Sequence, residues 1–225
     1  ERRDVEDAVA KLRGAIQPVL SRLPKPLRPY VKSELLQCCV EVNTGICPNV
    51  SDVRQDLMRT LTGLQETVEP LGLGLFWAGT HPFSTWRRQE LNPSERYAQF
   101  VELMQDVVRQ IMTFGLHVHI GVESGDKAAM ICDRLRRYLP LLLALSANSP
   151  FWEGRPTGLH SNRSKILEML PTAGLPHPLH NWSEFTWLVN HLVDTGFIHS
   201  MREIWWDVRP HHLFGTVEVR VCDTP

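Results

Sequence analysis

The chain has 225 residues, 43% of them hydrophobic and 22% charged, with a formal net charge of −1. That length suits one large domain or two small ones, and the composition is that of an ordinary folded globular protein. The near-zero charge gives no reason to expect a nucleic-acid or acidic-membrane partner, and the longest apolar run, YLPLLLALSA, is too short for a membrane span and contains Pro140.

From Asp4 to about Leu23 the apolar residues recur at helical spacing, until Pro24, Pro26 and Pro29 break the pattern. SELLQCCVEVNTGIC reads as a strand ending in a Thr-Gly turn. Residues 51–68 form an amphipathic helix capped by Ser51 or Asp52, and LGLGLFWAGTHPF is a short apolar strand. A helix is expected from Asn92–Pro93 or Ser94, with Gly115 just past its end; LHVHIGVE follows as a strand. Asp126 opens a further helix through Leu145. A polar loop covers 146–164 and a proline-rich one 171–178. NWSEFTWLVNHLVDTG is a helix capped by Asn181 or Ser183, and HLFGTVEVRVCDTP closes the chain as a strand. The chain opens without Met inside a helical pattern and stops directly after a strand, so both ends read as cut.

Cys38, Cys39, Cys47, Cys132 and Cys222 have no C-x-x-C spacing and read as reduced thiols of a cytoplasmic protein. The charged start, ERRDVEDAV, is not a signal peptide. Clusters such as WRRQE and DRLRRYL read as solvated helix faces.

Strand periodicity sorts the remaining polar groups. Val118, Ile120 and Val122 share one face, and His117, His119, Gly121 and Glu123 the other. Val217, Val219 and Val221 oppose Glu218, Arg220 and Cys222; Val40 and Val42 oppose Cys39, Glu41 and Asn43. One such strand is an ordinary half-wet strand. Carboxylate, imidazole and guanidinium on three of them point to a cleft: carboxylates with His suit a hard divalent cation, and Arg suits a phosphate. No P-loop and no G-x-G-x-x-G is present, so a nucleotide would lie on the sheet. His81 in GTHPF reads as a turn histidine or a site residue. WWDVRP, with Trp206 and Arg209, reads as a core Trp beside an ion pair or as a substrate loop. Arg163 reads as a surface arginine or a site residue.

GTHPFSTWRRQELNPSERY, FGLHVHIGVESGDKA, LPLLLALSANSPFWEGRPTG, WWDVRP and GTVEVRVCDTP occur in this order. Together they resemble the YbdK-type carboxylate–amine ligases, the glutamate–cysteine ligase type 2 family, from about Ser33 to Pro225. The resemblance implies an α+β, glutamine-synthetase-like fold: a curved, largely antiparallel sheet flanked by helices. It implies one ligase catalytic domain over residues 1–225, without the family's N-terminal G-x-E-x-E strand and its C-terminal helices. It further implies ATP and Mg2+, with the γ-carboxylate of glutamate phosphorylated and then joined to an amine such as cysteine, in a weak γ-glutamylcysteine synthetase-type activity. Carried over residue by residue, Glu41, Glu34, His117 and Glu218 would bind metal, with Glu34 lying off a regular strand. His117 and Arg220 would meet the nucleotide, Arg220 would also meet the transferred phosphate, and His119 would act nearer the substrate. Arg163, Trp206, Arg209 and His81 would line the substrate side. The implied partners are small molecules, glutamate and an amine, with neither nucleic acid nor membrane, and the implied assembly is a homodimer. The alternatives are a catalytically degenerate binding protein on the same fold, or a ligase using another carboxylate and amine.

Overall fold

A computed structural model of the chain describes residues 16–225. The start of the helix expected from Asp4, and Glu1, lie outside the described residues. The chain divides into two compact units, one holding residues up to Phe76 with Ser84–Arg109, the other Trp77–Phe83 with Gln110–Pro225.

In the first unit, α1 (Ile16–Arg22) leads through a proline-rich 3-10 turn to β1 (Val31–Ser33), which pairs antiparallel with β2 (Val40–Val42). The expected strand from Ser33 to Cys47 is thus mostly connection, and Glu34 does fall off the strands. α2 (Val50–Val68) begins one residue earlier than expected, because the Asn49 side chain accepts from the Asp52 amide and caps it. Thr60, Leu64 and Val68 recur four apart, the spacing of one helical face, and are buried. Leu64 and Val68 pack with Val19, Leu23, Leu27 and Val31. The expected strand at 71–83 does not form: residues 73–79 have no regular structure, and Thr80 makes an isolated bridge to Thr113 within the second unit. α3 (Glu95–Met104) starts at its Ser94 cap and ends at Gln105, whose φ of 48° leaves the helical region. The short α4 (Asp106–Arg109) follows, so the long helix expected up to Gly115 is interrupted, and Gly115 opens a strand instead.

The second unit is built on β3 (Gly115–Gly121), then α5 (Gly125–Leu135) and α6 (Leu139–Ser146). These two helices replace one expected helix because Pro140 sits in the first turn of α6, where its missing N–H costs nothing. The hairpin β4 (Phe151–Trp152) and β5 (Arg155–Pro156), and α7 (Asn162–Leu167), lie in the expected polar loop. α8 (Trp182–Asp194) starts from Asn181, which accepts from the Glu184 amide. β6 (Val208–His211) and β7 (Thr216–Asp223) complete a three-stranded antiparallel sheet in the order β3–β7–β6. The described residues are therefore mixed helix and sheet with antiparallel strand pairing and no barrel among them.

The expected two-faced sheet is present in part: Glu218 and Arg220 oppose the valines, but Cys222 packs in the apolar cluster and the Glu41 strand belongs to the separate β1–β2 sheet. Val208, Val217, Val219 and Val221 pack under Ala128 and Cys132 of α5 and Leu139 of α6. Trp206 joins a second cluster with Phe185, Val189, Ile198 and Ile204. β3 departs from expectation. As an edge strand it runs past the cover of α5 and α6, and Val118 and Ile120 are 40% and 56% exposed. None of the described helices is long and apolar enough to cross a membrane.

Gly115 is where β3 presses hardest on its surroundings. A Cβ there would stand 2.2 Å from Arg163 Nη2 and 2.8 Å from its Cζ. Arg163 is buried and hydrogen-bonded, so it cannot swing aside. Gly115→Ala is expected to cost about 1–3 kcal/mol, as overpacking does. Gly121→Ala on the same strand, where a Cβ meets nothing within 4 Å, is expected to be neutral or slightly stabilising. Thermal unfolding of the two variants measures the contrast.

Candidate functional site

The sheet register assembles a polar surface from three strands. Arg209 faces Glu218 and His211 faces Thr216 across β6 and β7; His119 faces Glu218 and Gly121 faces Thr216 across β3 and β7. Residues directly opposite in a ladder share a face. One step along, the Arg220 amide donates to the Asp207 carbonyl at 2.8 Å, which sets Asp207 beside Arg220. A register shift between Leu116 and Val118 falls at His117 and brings its ring towards Arg220 and Glu218.

Glu218 is the centre. Its side chain is 3% exposed. Oε2 accepts from Arg209 Nε at 2.7 Å, and Oε1 from Arg220 Nη1 at 2.5 Å. His117 Nδ1 is 3.3 Å and His119 Nε2 3.8 Å from Oε1. Burial acts to raise the Glu218 pKa, but the His117 hydrogen bond and the Arg220 and Arg209 charges outweigh it and hold the carboxyl far below its usual range. His117 goes the other way from a typical carboxylate partner. Burial pushes its pKa down to about 4, Glu218 opposes this, and Arg220 adds to it. Near neutral pH the ring is uncharged. Nδ1 lies 3.3 Å from Glu218 Oε1 and 3.5 Å from Arg220 Nη1; the tautomer that gives its proton to Glu218 leaves the lone pair on Nε2, which has no hydrogen-bond partner among the described residues. His119 Nδ1 lies 2.9 Å from Thr216 Oγ1, and its ring packs edge-on to His211 and Phe214. Arg209 is fixed at its other end by the Ile204 carbonyl.

The remaining candidates are placed differently. Arg163 is neither a surface residue nor one lining an open cleft: it is 3% exposed and donates to the carbonyls of Arg220 and Val221, both at 3.1 Å. Its guanidinium lies 3.8 Å from Asp223, itself fully buried. Asp223 accepts from Ser149 Oγ, Ser161 Oγ and the Asn148 amide at 2.7–2.9 Å. The sequence reading missed this network, because the register shift at His117 sets Asp223 opposite Gly115 and turns Cys222 into the apolar cluster. Trp206 is 5% exposed and packs edge-on to Phe185, so it is a core residue behind the face. His81 lies in the 77–83 segment, edge-on to Phe83, with its pKa lowered by burial. Glu34 and Glu41 belong to the first unit. Glu34 Oε2 accepts from the Leu35 amide at 3.0 Å, and Glu41 Oε1 from Asn43 at 2.6 Å. All five cysteines are free thiols.

The family model described as glutamate-cysteine ligase family 2 (GCS2) matches residues 4–225. The chain belongs to this family. It is 48% identical over 193 residues to a protein of Gloeobacter violaceus, covering 86% of this chain and 52% of that protein. It is 46% identical over 216 residues to one of Thermobifida fusca, covering 94% and 54%. Both carry the name "Putative glutamate--cysteine ligase 2". The chain spans about half the length of these curated relatives.

The side chains can be tested against the groups such a ligase would hold. A divalent cation wants oxygens with free lone pairs. Both Glu218 oxygens are committed to guanidinium groups, and no set of three or more His, Cys, Asp or Glu side chains among the described residues could hold a metal ion. As the side chains stand, this face does not fit a cation. It fits an anion better: Arg209 and Arg220 share one carboxylate, which leaves this contact group one positive charge in excess.

The two depressed pKa values act in separate pH windows. Unfolded histidine titrates near 6.5 and folded His117 only near 4. Between these values the unfolded chain takes up a proton that folded His117 refuses, so stability falls as pH drops through that window. Glu218 adds no slope there. Its contribution is complete above the ordinary carboxylate pKa of about 4.3 and is lost only below it. Urea unfolding between about pH 7 and pH 5 is expected to show a shallower loss of stability for His117→Gln than for the unsubstituted protein. Equal slopes would remove the buried neutral imidazole.

Proposed function

We propose that this chain forms the carboxylate-activating part of an ATP-dependent carboxylate–amine ligase, phosphorylating the γ-carboxylate of glutamate and joining it to an amine such as cysteine. Family membership supports the ligase class. The observation that carries the rest is the pair of guanidinium groups held by Glu218 beside a neutral imidazole. Under this reading the three-stranded sheet is a portion of a larger, curved, glutamine-synthetase-like sheet.

A carboxylate is a poor electrophile until its oxygen becomes a leaving group. ATP, as substrate, supplies the phosphoryl group that makes it one. Phosphoryl transfer between two anions is slow without fixed positive charge, and preorganised donors supply most of the acceleration. Arg220 has the required rigidity: Glu218 holds its Nη1, and Arg163 binds its backbone carbonyl. Its other N–H groups are directed at the transferred phosphoryl. Arg209 completes the saturation of Glu218 and so keeps that carboxylate from competing with the incoming one. His117 offers Nε2 to the nucleotide side without adding charge, and His119, tethered to Thr216, stands nearer the substrate. Arg163 acts through the backbone of β7 and Trp206 from the core, and His81 keeps its proposed place on the substrate side. The resemblance also implies magnesium at His117 and Glu218, which the face as described does not fit. Because Glu218 is occupied by two guanidiniums, a cation there would have to displace one of them, and no step is derived through it.

The test is magnesium-dependent ADP release by the full protein, with glutamate and a panel of amines. Release that requires one amine establishes the ligase and names its acceptor. Arg220→Ala is expected to lower the rate on the order of a hundredfold or more, the usual cost of removing one donor from a developing anion. A folded protein that releases no ADP with any amine is instead the degenerate binding protein.

A further inference from the structure

On the polar face, Asp207 differs from its neighbours. Glu218 is saturated by two guanidiniums, and Asp223, at the end of β7, by two hydroxyls, an amide and a guanidinium. Asp207 is half-buried, yet among the described residues none donates a hydrogen bond to its carboxylate or stands within ion-pair distance of it. Its backbone, by contrast, is pinned on both sides. The Asp207 amide donates to the Gly174 carbonyl at 2.8 Å, and its carbonyl accepts from Arg220 at 2.8 Å. A rigidly mounted, partly desolvated carboxylate left without a partner is a group held ready for a ligand. Its chemistry selects a cation, and its place in the ladder puts that cation next to Arg220.

We infer that Asp207 is the amine-receiving residue: its carboxylate holds the substrate's ammonium group beside Arg220 and takes one proton from it before attack. This rests on the ligase reading. The balance is simple. An ammonium carries three protons and no lone pair. Transfer of one to Asp207 frees the pair that forms the C–N bond at the acyl-phosphate carbon. The C–O bond to phosphate then breaks, and its electron pair leaves with the phosphate. A second proton goes from nitrogen to that phosphate, one stays in the amide, and Asp207 returns its proton to water. The groups facing Asp207 suit the role. Burial raises its pKa, Arg163 of α7 and Arg220 of β7 lower it, and Glu168 after α7 raises it again, leaving it above the ordinary aspartate value.

The experiment compares two nucleophiles in one assay. An α-amino compound arrives as a cation at neutral pH and needs a proton acceptor. Hydroxylamine arrives uncharged and needs none to become nucleophilic. With Asp207→Asn, amine-dependent ADP release is expected to fall on the order of a hundredfold, the scale of a lost general base. With hydroxylamine it is expected to stay within a few-fold, and KM for ATP is expected to stay unchanged. Asp207→Glu is expected to restore part of the amine reaction, and the acid limb of its pH profile is expected to shift. Equal loss with both nucleophiles would make Asp207 a structural residue and overturn the assignment. An unsubstituted protein that is silent with every nucleophile would overturn the ligase reading itself, and the assignment with it. The hydroxylamine rate also serves as the folding control for each variant.

Discussion

Removing a carboxylate from water costs several kcal/mol unless charge and hydrogen bonds replace the lost hydration. Glu218 is 3% exposed in the middle of β7, so the strands on both sides must supply those replacements. β6 supplies Arg209, β7 itself supplies Arg220, and β3 brings His117 and His119. Each of these groups gains a fixed position in return. The guanidiniums are immobilised without being hidden, and one imidazole is kept neutral by the positive charge around it and by burial. The antiparallel register is therefore more than scaffolding. A slip of one residue would send Glu218, and Arg220 with it, to the valine side and leave Arg209 unpaired.

A second buried carboxylate secures the first. Asp223 sits at the far end of β7 and holds Arg163, whose guanidinium reaches the carbonyls of Val221 and Arg220. Opposite charges pair at both ends of this line, Asp223 with Arg163 and Glu218 with Arg220 and Arg209. Each carboxylate offsets the repulsion between neighbouring guanidiniums, and Arg163 meets Arg220 only through its backbone carbonyl. The close approach of β3 at Gly115 belongs to the same arrangement, because only a residue without Cβ leaves room for the Arg163 guanidinium. Rigidity in the backbone of Arg220 is what an electrostatic catalyst needs, since a donor that must reorganise during reaction loses most of its effect.

Within this rigid frame the face has two electrical poles. The Glu218 group carries an excess positive charge, and Asp207, one ladder step away, carries the uncommitted negative one. A reaction that joins an activated carboxylate to an amine needs both, close together and of opposite sign. The proposed reaction draws on both poles.

The sequence by itself determined the local facts. Alternation in HVHIGVE and TVEVRVCD told which side chains share a face up to Arg220, because the side-chain period of a regular strand is two; the register shift beyond it turned Cys222 to the apolar side. Asn181 and Ser94 marked helix starts, because caps are local hydrogen bonds. Ordered motifs carried the family. Other features were decided only by the tertiary structure. The apolar 71–83 stretch has strand-like composition but finds no ladder partner beyond one bridge, so it stays irregular. Val208–His211 gave little strand signal and became β6 because β7 offered it an edge. Arg163 looked like a loop arginine and is buried, since nothing local reveals that a carboxylate sixty residues onward along the chain, Asp223, will fold against it. Local pattern assigns each side chain to a face; only the assembled sheet decides which charges meet across it.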